Sequence, residues 1–216
     1  MHRILLINPN SSAATTAMMV AIAQAAAARA CHVAGATATR APPMIVEPDA
    51  LTAAADEVVE IATLNDGNYD GFIIAAFGDP GLSRIRMECR TPVAGIAEAA
   101  LKEAAAGEQA FGIATTTPAL QTMIDRNVAA SGLAAQYTGL RLTAGNPTEL
   151  VKHPGRVRDA LADAVRRCVN DDGAQAVIIG GGPLGEAARE LQPMFPQPII
   201  QPIPAATRLI LGGLRP

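Results

Sequence analysis

Short apolar runs that stop abruptly in turn residues recur along this chain, with helix-like stretches between them. The spacing predicts a buried strand over His2 to Ile7, then the turn Asn8-Pro9-Asn10-Ser11-Ser12. A helix over roughly 13–30 follows, with Ser11 or Ser12 as its N-cap. Cys31 to Thr39 reads as a second strand, ended by Arg40-Ala41-Pro42-Pro43. A helix opened by Asp49 runs to Leu64, where Asn65-Asp66-Gly67-Asn68 closes it. Gly71 to Ala76 contains no polar side chain, as expected of a parallel strand covered on both faces. It ends in Phe77-Gly78-Asp79-Pro80-Gly81. A short helix from about Gly81 to Cys89, a strand Pro92 to Gly95 and a helix Ala97 to Ala106 complete the first half.

The second half repeats the scheme. A strand Ala110 to Ala114 passes through Thr115-Thr116-Thr117 into a helix, with Thr117 as N-cap and Pro118 at its first position. Tyr137 to Thr143 is a strand, 144–155 a loop, and roughly 156–170 a helix. The strand Ala176 to Ile179, the turn Gly180-Gly181-Gly182-Pro183, a short helix and the strand Ile199 to Gln201 follow. Ala205 to Leu211 is a last helix. Ala76 and Gly181 occupy matching places 105 residues apart, and other equivalent elements keep nearly the same step. This is the signature of an internal duplication. The expected fold is α/β, with two pseudo-symmetric lobes, each a four-stranded parallel sheet flanked by helices. Residues 1–97, with a C-terminal helix over 205–216, make one lobe and 98–204 the other. An active site is expected in the inter-lobe cleft, because ligands lie outside the carboxyl ends of parallel strands.

Composition narrows the function. Half of the 216 residues are hydrophobic but only 3% are aromatic and none is Trp, so the core is built from Ala, Val, Ile and Leu. The net charge of −3 is spread along the chain without a basic stripe, which argues against nucleic acid. The N-terminus lacks a signal-peptide core, and the alanine-rich stretch 13–30 is too weakly apolar to span a bilayer. Three cysteines, Cys31, Cys89 and Cys168, show no metal-ligand spacing and fit a reducing compartment. A cytoplasmic homo-oligomer with no metal, nucleic-acid or membrane partner is expected.

Four strand ends are chemically marked. Asn8, Asn10 and Ser11 stand at the first, and Ala76, Phe77 and Gly78 at the second. Thr115 and Thr116 stand at the third, and Gly181, Gly182 and Pro183 at the fourth. Loop N–H groups ahead of helix N-termini favour an anion such as a carboxylate or enolate, so these residues are the substrate-binding candidates. Each turn alone has a plainer reading as a cap or a rigid bend; their recurrence in both halves lifts them above it. Asp79, Glu186, His153 and Tyr137 are the polar acid/base candidates in or near these loops. Asp79 reads more naturally as a carboxylate holding loop amides than as a proton carrier.

The residues Ile7-Asn8-Pro9-Asn10-Ser11, Phe77-Gly78-Asp79-Pro80-Gly81-Leu82, Pro92-Val93-Ala94-Gly95-Ile96, Thr115-Thr116 and the glycine turn at Gly180 resemble the aspartate/glutamate/hydantoin racemase superfamily. Within it, hydantoin and allantoin racemases are most similar. The resemblance implies two like α/β lobes, no cofactor, and a small carboxylate or cyclic amide or ureide substrate. It also implies two cysteines on opposite faces of the stereocentre, one removing a proton and the other returning one. Motif alignment puts them at Ala76 and Gly181, neither of which can carry a proton. Three readings stay open: an isomerase with an unconventional base, a divergent lyase, decarboxylase or hydrolase using the same anion cradle, and a small-acid binding protein.

Overall fold

The computed structural model describes residues 1–150 and 152–214, so the last two residues of the expected 205–216 helix lie outside the described residues. Two compact units emerge: Met1–Ala99 together with the segment from Ile203 onward, and Ala100–Pro202. The first carries β1 (His2–Asn8), α1 (Ala13–Ala27), β2 (Cys31–Thr37), α2 (Pro48–Leu64), β3 (Gly71–Ile74), α3 (Leu82–Glu88) and β4 (Val93–Gly95). Helix α4 (Ile96–Ala104) spans the boundary. The second unit carries β5 (Phe111–Thr115), α5 (Gln121–Ala130), β6 (Tyr137–Leu142), α6 (Pro147–Leu150), α7 (Pro154–Asn170), β7 (Ala176–Ile179), α8 (Gly185–Leu191) and β8 (Ile199–Ile200). Helix α9 (Pro202–Gly213) packs in the first unit.

Each unit holds one four-stranded sheet, ordered β2-β1-β3-β4 and β6-β5-β7-β8, and every pairing is parallel. The two orders are the same when numbered within each unit, as a duplication requires. Central strands β3 and β7 are apolar throughout for a physical reason. All four residues of β3 and of β7 are buried, because helices cover both faces. Edge strand β2 mixes buried and exposed positions, and β6 is only half-buried along its length. Small residues permit close layers: a methyl group at Gly35 would overlap Thr16 and Val20 of α1, and one at Gly71 would overlap Ile210 of α9. Helix α7 shows the amphipathic logic clearly, burying Val157, Leu161, Ala162, Ala164, Val165 and Cys168.

Several boundaries differ from the sequence expectation. β3 ends at Ile74 rather than Ala76, although Ala75 still donates to the Ile7 carbonyl. A helical turn, α6, lies within the loop expected over 144–155, where Asn146 accepts from the amide and hydroxyl of Thr148. Asp49 stands in the first turn of α2, but the N-cap is Glu47 without a side-chain bond. Thr117 likewise makes no capping bond; Pro118–Leu120 forms a 3-10 turn before α5 begins. No helix among the described residues is long and apolar enough to cross a membrane.

Candidate functional site

The first strand end is a closed network. Asn8 is fully buried, and its carboxamide nitrogen donates to Asn10 Oδ1 and Thr16 Oγ1, both at 2.9 Å, and to the Ser12 carbonyl at 3.3 Å. Its Oδ1 accepts from the Asn10 amide at 3.1 Å, while Asn10 Oδ1 accepts from the Ser12 amide at 2.9 Å. Ser12 is the N-cap of α1, its hydroxyl accepting from the Thr15 amide. The Asn8 carboxamide and the Asn10 side-chain oxygen are therefore committed to shaping the turn, which leaves the Asn10 carboxamide nitrogen and the hydroxyl of half-buried Ser11 for other partners. We expect Asn8→Ala to lower stability by about 2–4 kcal/mol, because it strands several buried donors and acceptors at once. Urea titration checks this.

The second strand end is built around Asp79, which stands at φ 50° between Gly78 at φ 148° and Gly81 at φ 80°. Its amide donates to the Ala76 carbonyl. Its carboxylate turns inward and accepts from the amides of Ala97 at 2.9 Å and Glu98 at 2.7 Å, in the first turn of α4. This is an N-terminal cap supplied from a distant loop. Burial pushes the carboxyl up to about 7, against the two amide donors that favour its charged form. Gly95 lies directly beneath it, and a methyl group there would overlap all three carboxylate atoms.

In the second unit, buried Thr115 donates to the Gly180 carbonyl at 2.6 Å and so ties the ends of β5 and β7 together. Thr116 is only 3% exposed overall, but its hydroxyl, which makes no hydrogen bond among the described residues, reaches the surface. Gly180 donates to Ala114, and Leu184 to Gly181. Gly181 adopts φ 155°, ψ 129°. Gly182–Leu184 is a 3-10 turn, and exposed Pro183 lies within it.

The two units thus present corresponding loops with backbone N–H groups to spare. Those of Ala76, Phe77 and Gly78, of Thr116 and Thr117, and of Gly181 and Gly182 donate to no acceptor among the described residues. Buried backbone donors need partners, so such loops are suited to water or to an oxyanion. The helices add less than the sequence suggested. α3 and α8 have only seven residues each, and 3-10 turns separate the third and fourth ends from α5 and α8.

The acid/base candidates fare unequally. Tyr137 is the first residue of β6, at its amino end, and its hydroxyl donates to Asp125 at 2.8 Å. Burial and that carboxylate push its pKa above the ordinary phenol value, so the expectation that it serves the carboxyl-end loops is corrected. Glu186 is exposed in the first turn of α8. His153 is exposed at the start of α7, beside a recess of about 220 Å³ lined also by Asn146, Glu149 and Arg156. No cysteine lies at a carboxyl end. Cys31 opens β2, Cys89 follows α3, and Cys168 on α7 is held at about 12 by burial. Among the described residues no group of three or more His, Cys, Asp or Glu side chains could hold a metal ion.

Two residues escaped the sequence reading. Gly95 was visible as part of a motif, but nothing in the sequence ties it to Asp79. Thr143, just beyond β6, is buried with a hydroxyl that has no partner among the described residues.

A model of the Asp/Glu/hydantoin racemase family matches residues 4–210. The hydantoin racemase of Paenarthrobacter aurescens is 28% identical over 209 residues, covering 96% of this chain and 89% of that protein. The hydantoin racemase of Rhizobium meliloti is 29% identical over 211 residues, covering 94% of this chain and 85% of that protein. The solved structure of the allantoin racemase from Klebsiella pneumoniae matches with a TM-score of 0.92 at 29% identity, covering 98% of this chain and 87% of that one.

Proposed function

The chain belongs to the Asp/Glu/hydantoin racemase family, and from that premise we propose that it is a cofactor-independent, isomerase-like enzyme acting on a small carboxylate or cyclic ureide. The observation that carries this reading is the set of unpaired loop amides at residues 76–78, 116–117 and 181–182, repeated at matching places in the duplicated chain. Oriented N–H groups stabilise an oxyanion, whether a carboxylate in the ground state or an enolate as a proton leaves. Ser11 and Thr116 add hydroxyl donors. Asn8, Thr115 and Asp79 hold their loops in shape.

The acid/base chemistry departs from a two-thiol scheme. Positions 76 and 181 carry a methyl group and a hydrogen, and burial keeps the three cysteines elsewhere as neutral thiols. Asp79 is turned away toward α4. That favours a second reading, in which the same amides stabilise an enolate or tetrahedral oxyanion in a lyase, decarboxylase or hydrolase reaction.

Calorimetric titration with allantoin, a 5-substituted hydantoin and aspartate tests the cradle. At least one should bind, and Thr116→Val should weaken it by about 1–2 kcal/mol through loss of one hydrogen bond. Unchanged affinity removes Thr116 from the site, and no binding by any of the three removes the substrate assignment.

A further inference from the structure

Thr143 is only 9% exposed, and its hydroxyl is the one buried side-chain oxygen or nitrogen among the described residues without a hydrogen-bond partner. It is at the carboxyl end of the second sheet. Leu142 pairs with Thr115 in the last rung of the β5–β6 ladder, and the Thr143 amide then donates to the Thr115 carbonyl at 3.0 Å. Continuing that register places Thr143 beside Thr116, whose hydroxyl also has no partner among the described residues. Its neighbours offer no relief, since Thr115 is spent on the Gly180 carbonyl. An isolated unsatisfied hydroxyl costs stability, and valine would fill the same volume without that cost. A buried hydroxyl in this state, beside a second unpartnered hydroxyl that reaches the surface at the end of parallel strands, calls for an external partner.

Resting on the function proposed above, we infer that Thr143 is a substrate-binding and specificity-determining residue that acts as a pair with Thr116. A threonine hydroxyl can donate and accept at once. The pair therefore matches a group presenting a carbonyl oxygen next to an N–H, as the ring amide of a cyclic ureide does. A carboxylate offers acceptors only and uses half of that capacity. The substrate class this selects is the ureide rather than the simple amino acid.

The test compares wild type, Thr143→Val and Thr143→Ser, with free-state melting and calorimetric titration of allantoin, a 5-substituted hydantoin and acetate. Without ligand, Thr143→Val should melt at the wild-type temperature or up to about 4 °C above it, because an orphaned polar group is removed. Its affinity for the ureides should fall by about tenfold while acetate binding changes less, and Thr143→Ser should restore ureide affinity. A melting temperature several degrees lower would make the hydroxyl structural and overturn the inference. Unchanged ureide affinity in a stable Thr143→Val protein would overturn it while leaving the proposed function intact. If wild type binds no ureide at all, the proposed function fails and this inference fails with it.

Discussion

Replacing Gly95 by alanine should cost about 3–5 kcal/mol of stability, an exceptional value for adding one methyl group. The methyl would occupy the space of the Asp79 carboxylate, so the carboxylate must leave the amides of Ala97 and Glu98. Two helix N-terminal donors lose their acceptor, and the Phe77 to Gly81 loop loses its anchor to α4. A double-mutant cycle isolates the cause. Asp79→Gly suits the positive φ at that position, and once it is made, Gly95→Ala should cost little more. A Gly95→Ala penalty below about 1 kcal/mol would mean the carboxylate has another resting place.

The same carboxylate should leave a trace in the pH dependence of stability. Folding raises it from its ordinary 3.8 to about 7, so the folded chain binds this proton more tightly than the unfolded one. Its contribution is therefore fully present below about pH 4 and lost as pH rises through about 7. Asn at this position cannot titrate. The penalty of Asp79→Asn should thus shrink between about pH 5 and pH 8, measured by urea unfolding. A penalty that grows over that range would show that the charged cap outweighs burial.

The second large effect concerns the missing thiols. In deuterated water, Ala76→Cys with Gly181→Cys should give measurable exchange of the α-proton of a bound hydantoin. The loop amides around position 76 would favour the thiolate. The two positions are not equivalent, however. Ala76 has an ordinary backbone, whereas Gly181 stands at φ 155°, where a side chain is strained by about 1–3 kcal/mol. Ala76→Cys alone should fold like wild type and give exchange with retention, whereas inversion should require both. A folded double variant that binds ligand without any exchange would mean that the pocket has diverged in shape as well as in chemistry.

That asymmetry illustrates what a sequence reveals and what it hides. The sheets were legible because β1, β3, β5 and β7 each hold a short apolar run that ends abruptly, and the repeat at 105 residues fixed their equivalence. The turns were legible because their residues cap or bend the chain locally. Backbone angles were not: Ala76 and Gly181 align in sequence but differ in conformation. Side-chain direction was hidden as well. Asn8 looks like a ligand contact, yet its carboxamide is spent on Asn10, Ser12 and Thr16, while Thr143 looks like an ordinary strand end. Tyr137 shows that proximity to a strand says little without knowing which end. Asp79 was read as a carboxylate that holds amides, because aspartate among glycines in a turn commonly does so, but the amides it accepts from are those of α4, 18 and 19 residues away, not those of its own loop.

The central claim is that this family member keeps the oxyanion cradle without a pair of thiol bases. The most direct measurement incubates wild-type protein in deuterated water with each enantiomer of allantoin and of a 5-substituted hydantoin. Loss of the α-proton is followed by NMR and loss of optical activity is followed separately, both against an enzyme-free blank. The account predicts no inversion above the blank. Exchange with retention is compatible with a single base. Rapid exchange with inversion of either substrate would contradict the account, because other side chains would then be working as a two-base pair on opposite faces of the stereocentre.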